Sequence, residues 1–211
     1  LLTNAGWAIV ALRFSCNLLR IYWRAPRQTG VFAYGRLARV AAAGRYAAAM
    51  EQNWDARVAA VWAAAGQLGD DEVLERIDAL VDERGPDDAA AVFEAASVRD
   101  YLGREAEAEP LYRRALRLGL DDERRPQATI QLASTVRTLG RADEAIDLLG
   151  DHLAEHADDE WTAAGAAFLA LALASAGRER EAASVALVAL SDSLPVYSDA
   201  VRRYALRLRE R

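Results

Sequence analysis

Residues 102–116 read "LGREAEAEPLYRRAL", and the chain returns to the same pattern at 139–153, "LGRADEAIDLLGDHL", and at 176–190, "AGREREAASVALVAL". Each stretch has a turn glycine, an arginine, a few acids and then an apolar-periodic run. Gly69 opens a looser instance, so the turns fall at Gly69, Gly103, Gly140 and Gly177, spaced 34, 37 and 37 residues apart. In the runs that follow, Ala108, Leu111, Tyr112 and Ala115 keep helical spacing, as do Ala145, Ile146, Leu148 and Leu149. No segment alternates with a period of two, and no Asn-Gly or Asp-Gly pair marks a hairpin. A period of this length with one turn per unit predicts antiparallel helix pairs, each stacked on the next. The expected fold class is all-α.

Charge divides the chain. It has 211 residues, 26 of them basic, and every basic residue is arginine. Heavy use of Arg and Ala reads as a GC-rich coding sequence. Seven arginines and no acid fall in residues 1–50, giving +7, while the remaining 19 arginines and all 32 acids give −13, for a net charge of −6. An acidic body repels phosphate backbones, so nucleic acid is not an expected partner. The single cysteine, Cys16, excludes an intramolecular disulfide and a Cys-rich zinc site, and the expected setting is the reducing cytoplasm.

The repeated unit resembles the tetratricopeptide repeat family, in which small residues sit where the two helices touch. Seven residues before the glycine stand Ala96, Ala133 and Ala170; five after it stand Ala108, Ala145 and Ala182. Twelve after it, Ala115 and Ala189 fit, while His152 departs from the pattern. Small side chains at these places allow close helix approach. The resemblance covers roughly residues 52–194. It weakens at Gly69, where Trp62 and Leu74 take the small-residue places, as terminal repeats often do. The stretch 123–149 is also similar to a bacterial, actinobacterial-type subfamily of these repeats. The resemblance implies a right-handed solenoid of about four helix pairs, closed by a solvating helix over 196–209 with Val201, Tyr204, Ala205 and Leu208 inward and Arg202, Arg203 and Arg209 outward. It also implies a non-enzymatic scaffold that takes a protein or peptide in its concave groove.

Groove positions carried over from the family fall on Phe93, Ser97, Asp100 and Tyr101 in one unit and on Gln127, Gln131, Ser134 and Arg137 in the next. Tyr101, Gln131 and Arg137 stand out among them, because Tyr and Arg are enriched in binding hot spots. In the third unit Phe168 and Leu171 are expected to pack on the terminal helix. Chaperone-binding members of the family clamp a carboxylate with Lys and Asn at such positions; neither residue type stands at them here.

No catalytic constellation is visible. Neither histidine has a Ser or Cys partner in a nucleophile motif, and the glycines are scattered singly rather than gathered in a phosphate loop. His152 and His156 share a helix face among acids, but two histidines do not make a zinc shell. They are expected at a solvated helix end, favouring the negative pole of its dipole. No cofactor or metal is expected. Acid clusters at 70–72, 121–123 and 158–160 fall at helix starts and complement the dipoles there. Asp121 or Asp122 is expected to cap one helix, with Pro126 in its first turn, and Asp87 or Pro86 to open another over 87–102. Pro110 lies inside a helical run and predicts a kink or a late start.

In residues 7–24, Arg13, Asn17, Arg20 and Arg24 form a polar stripe on an otherwise apolar helix pattern. That pattern suits an anionic membrane surface and makes a peripheral membrane adaptor the alternative function. The interrupting arginines exclude a span. Met50 is the chain's only methionine, and acids begin directly after it. Residues 1–49 are therefore expected to be an extraneous extension to a repeat domain of 50–211, and a membrane is a partner only if they belong to it.

Overall fold

One backbone device closes each repeat turn. In the computed structural model, which describes residues 53–156 and 159–210, Gly103, Gly140 and Gly177 are left-handed, with φ of 70°, 85° and 74°. The arginine that follows takes nearly the same conformation each time: φ, ψ of −102°, 55° at Arg104, −105°, 61° at Arg141 and −103°, 52° at Arg178. Its N–H reaches back five residues to the carbonyls of Arg99, Val136 and Leu173, at 2.8, 3.0 and 2.8 Å. Its own carbonyl accepts the first bond of the next helix from Ala108, Ala145 and Ala182. One residue thus satisfies a group left over by each of two helices. A side chain is strained at left-handed φ. A Cβ at Gly140 would meet nothing within 4 Å, so Gly140→Ala isolates that strain. It is expected to cost about 1 kcal/mol, read as a lower urea midpoint with an unchanged slope.

Among the described residues the chain forms nine helices and no strand. They are α1 (Trp54–Ala64), α2 (Asp70–Asp82), α3 (Ala89–Tyr101), α4 (Glu105–Leu118), α5 (Arg124–Thr138), α6 (Ala142–Glu155), α7 (Thr162–Ser175), α8 (Glu179–Ser191) and α9 (Ser198–Leu206). None is long and apolar enough to cross a membrane. The polar stripe at 7–24 and the question of residues 1–49 lie outside the described residues.

The helices fall into two compact units. The first comprises residues 53–86 with 101–103. Asn53 caps α1, its Oδ1 accepting from the backbone of Asp55 and Ala56. The Trp54 indole donates to the Leu80 carbonyl at 2.7 Å, pinning α1 to the end of α2. Arg84 lies 4.1 Å over the Trp54 ring, and Arg57 grips Glu83 through both terminal nitrogens. Trp62, which stands where the family has a small residue, meets the Tyr101 ring edge-on at 5.6 Å between centroids.

The second unit comprises residues 87–100 with 104–210. Helices pack in succession, α4 on α5, α5 on α6, α6 on α7, α7 on α8 and α8 on α9. Helix α7 also packs on α5, the first helix of the preceding pair. The small residues do what their positions predict: Ala96, Ala108, Ala115, Ala133 and Ala145 are wholly buried, which lets backbones approach closely. Around them Val92, Phe93, Tyr112, Leu132, Val136 and Leu149 form one core. Glu109 and Arg113 of α4, Glu144 of α6 and the turn residue Arg141 form a four-member ion network in which acid and base alternate.

Several local expectations shift by a residue or a face. The Asp121 carboxylate caps α5 at the Arg124 N–H, 2.7 Å away, and Pro126 is buried in the first turn. Helix α3 is opened by Asp88, whose Oδ1 accepts from Ala91; Asp87 is free to pair with Arg114. Pro110 delays nothing, because α4 begins at Glu105 and only the Ala106 carbonyl loses its usual donor. In α9, Ala205 is wholly buried and defines the inward stripe with the partly buried Val201 and, just past the helix end, Leu208. Tyr204, about 100° around the helix from Ala205, is 63% exposed rather than inward. Arg209 folds back to donate to Ser184 at 3.0 Å, and Arg202 pairs with Asp192.

Candidate protein-binding face

The first helices of the pairs, α3, α5 and α7, carry the polar positions singled out by the sequence. On α5, Gln127, Gln131, Ser134 and Arg137 are all partly exposed and follow one another at intervals of 4, 3 and 3, one stripe of the helix. Ala128, Leu132, Ala133 and Val136 on the other side are buried. The stripe is therefore the side of α5 left over by the core.

On α3 the positions carried over from the family mostly go inside. Phe93 and Ser97 are each 4% exposed. The Phe93 ring packs on Tyr112 with centroids 6.1 Å apart. Ser97 donates to the Phe93 carbonyl at 2.9 Å and lies 3.4 Å from Gln131 Oε1. Tyr101, at 7% exposure, is buried in the first unit against Trp62. Of the eight positions, the structure brings Ser97 and Gln131 together and leaves Gln127, Gln131, Ser134 and Arg137 facing outward.

Asp100 is partly buried, with its two oxygens divided between neighbours. Tyr112 Oη is 3.3 Å from one, and Thr135 Oγ1 is 3.2 Å from the other. Burial pushes its carboxyl up from 3.8 to about 7, against the lowering influence of the Thr135 and Tyr112 hydrogen bonds; the nearby Glu105 charge adds to the rise. Burial first, then the Asp100 charge, pushes the Tyr112 phenol well above its usual 10. A proton on the acid suits this geometry, since Thr135 already donates to the Gln131 carbonyl at 2.9 Å and its oxygen is left to accept.

Arg137 is the counterpart of Asp100 one repeat later. Burial holds its guanidinium below the usual range, and no opposing charge contributes. Its Nε is buried without a hydrogen-bond partner. Nη1 and Nη2 make only 3.5 Å approaches, to Ser175 and Thr138.

Further along, Phe168 packs into the common core rather than onto the terminal helix, and Leu171 is 43% exposed. The expectation that α9 covers both fails because α9 stacks on α8, the second helix of that pair.

The histidines also depart from expectation. His152 is 3% exposed, so it belongs to the core and not to a solvated helix end. It fits because Gly165 faces it: a Cβ there would stand 2.8 Å from His152 Cδ2 and 3.2 Å from Nε2. A large residue in a small-residue place is matched by a missing side chain opposite. Burial, and then the His156 charge, lowers the His152 pKa. His156, with its ring centroid 4.8 Å away, pairs through Nδ1 with Asp159 at 2.6 Å. Among the described residues no group of three or more His, Cys, Asp or Glu is placed to hold a metal.

Sequence reading missed Thr135 and the role of Tyr112. Contacts one repeat apart, Ser97 to Gln131 and Asp100 to Thr135, span 34 and 35 residues. Pairing polar residues at the repeat length was the signal available.

The family comparison agrees with this architecture. The family model described as "Tetratrico peptide repeat" matches residues 89–208. Among curated proteins none matches. The solved structure titled "MamA MSR-1 C2" is 19% identical over 81% of this chain and 90% of that one, with a TM-score of 0.49. A MamA point mutant is 15% identical over 94% and 99%, with a TM-score of 0.46.

Proposed function

We propose that this chain, which belongs to the tetratricopeptide repeat family, is a non-enzymatic cytoplasmic scaffold holding a protein or peptide against α3, α5 and α7. Repeats of this family generally mediate protein–protein interaction. The observation that carries the finer reading is the stripe on α5, where Gln127, Gln131, Ser134 and Arg137 stay partly exposed along one side of a helix whose other side enters the core. Amide, hydroxyl and guanidinium groups on a rigid helix can bond an extended backbone and its side chains with little ordering cost. Phe93, Ser97 and Asp100 act behind that stripe by fixing α3 to α4 and α5.

A photo-crosslinking residue placed at Gln131 in cells should capture one discrete partner, and the same residue placed at the exposed Asp147 of α6 should not. Equal capture from both positions, or none from Gln131, would remove the assignment to this face.

A further inference from the structure

The last two helices leave an apolar surface that no other described element covers. Among the described residues, six of the nine large hydrophobic side chains left exposed fall between Leu187 and Leu206. On α8, Ala183, Leu187 and Leu190 form one exposed stripe, and no charged residue occurs from Ala183 to Ser191. Val196 and Tyr197 stand exposed in the turn that joins α8 to α9, at the Leu190 end of that stripe.

Two contacts show which flank of α9 borders it. The Arg202–Asp192 pair closes one side of the seam between the helices. On the other side, Arg180 Nε donates to the Leu208 carbonyl at 3.3 Å. Arg180 and Leu187 are two turns apart on one side of α8, and Leu208 is one turn from Tyr204. Tyr204 and Leu187 therefore share a flank, while Leu206 turns to the opposite one. A tyrosine side chain offers roughly 150–250 Å², and Tyr197 is 78% and Tyr204 63% exposed. Those two rings alone reach the lower end of the roughly 300–600 Å² that forms the largest patch of an ordinary monomer. Leu187, Leu190, Val196 and Ala183 extend it toward the roughly 800 Å² per partner of a stable interface.

Charge and shape choose the occupant. Residues 198–211 hold five arginines and two acids, so the seven arginines of residues 1–50 would be repelled from this face. The face is complementary to itself, being shallow at Ala183 and tall at Leu190, Val196 and Tyr197. Turned end for end, the tall end of one copy meets the shallow end of another. Tyr197 is also the one non-glycine residue at positive φ among the described residues, at 67°. A bulky side chain is strained there, so the turn itself would be better served by glycine.

We infer that the α8–α9 face is a twofold interface holding a second copy of this chain, with the two α8 helices antiparallel and the axis beside Leu187. Residues on such an axis meet themselves. Arg180 then comes beside the partner's Tyr197, where a guanidinium can stack on the ring.

Sedimentation equilibrium of the full 211-residue chain should show monomer and dimer in exchange. Leu187→Glu sets two like charges against each other on the axis and should raise the dissociation constant about a hundredfold. Tyr197→Gly should raise it about tenfold. Its urea midpoint, read where the chain is monomeric, should hold or rise, because glycine relieves the backbone. That pairing separates a lost contact from a damaged fold. In a Cys16→Ser background, Leu187→Cys should join two copies by a disulfide under air oxidation, and Asp147→Cys on α6 should not. A chain that is monomeric at every soluble concentration overturns the interface. So does a dimer indifferent to Leu187→Glu and Tyr197→Gly, or an equal disulfide yield from positions 147 and 187.

Discussion

Asp100→Asn is expected to stabilise the protein at neutral pH, by as much as about 4 kcal/mol, at roughly 1.36 kcal/mol per unit of pKa. The carboxyl titrates near 3.8 when free and near 7 in the fold, where burial opposes its charge. Between those pH values the folded chain keeps a proton that the unfolded chain has released. The stability contributed by the protonated acid is therefore whole below about pH 4 and is lost as pH rises through about 7. Asparagine resembles the protonated acid. Its nitrogen can donate to Thr135 Oγ1 while its oxygen accepts from Tyr112, the two partners of Asp100. Denaturant melts of both proteins from pH 4 to 8 should coincide near the acid end and diverge upward. A variant less stable than wild type at pH 7.5, or a constant gap at every pH, would show that the fold tolerates the Asp100 charge.

His152 acts in the opposite sense. Its pKa is lowered from 6.5, so its contribution is lost as pH falls below 6.5. With Asn at position 100, the descent toward acid should stand out, because the opposing gain from Asp100 is gone.

The second large effect is a change of sign at Gly165. In the wild type, alanine there drives a Cβ to 2.8 Å from the His152 ring, which is buried and enclosed. Overpacking of this kind costs about 1–3 kcal/mol, outweighing the roughly 1 kcal/mol by which alanine favours a helix over glycine. With His152→Ala in place the clash disappears, leaving Leu153 Cδ2 at 3.2 Å as the nearest of the original contacts. Gly165→Ala should then stabilise. A double-mutant cycle of thermal or urea melts measures the coupling directly. Additive effects would mean that the imidazole moves aside without cost and that the two positions are independent.

These two sites mark where sequence reading succeeded and where it could not. The helix pairs were legible because small residues recur at fixed distances from each turn glycine, and close packing leaves few alternatives at those places. His152 was visible as a departure from that rule. Its meaning depended on Gly165, thirteen residues away and on another helix. Ser97 and Ser134 fall on equivalent family groove positions 37 residues apart, yet one is buried and the other partly exposed. Exposure depends on what the neighbouring helix places opposite, and the local pattern does not contain that. The inward turn of Asp100 was hidden for the same reason, because its partners Tyr112 and Thr135 come from two other helices.

The near-identity of the turns at Gly103, Gly140 and Gly177 bears on how such a chain diverges. Each turn is held by main-chain bonds and one glycine, and the side chains of Arg141 and Arg178 serve ion pairs apart from it. The side chains on the outward stripe of α5 are not part of that device. A lineage can therefore exchange Gln127, Gln131, Ser134 or Arg137 without renegotiating the spacing of its helices. Recognition and architecture then evolve as separate ledgers, and whole units of 37 residues can be gained or lost between matching turns.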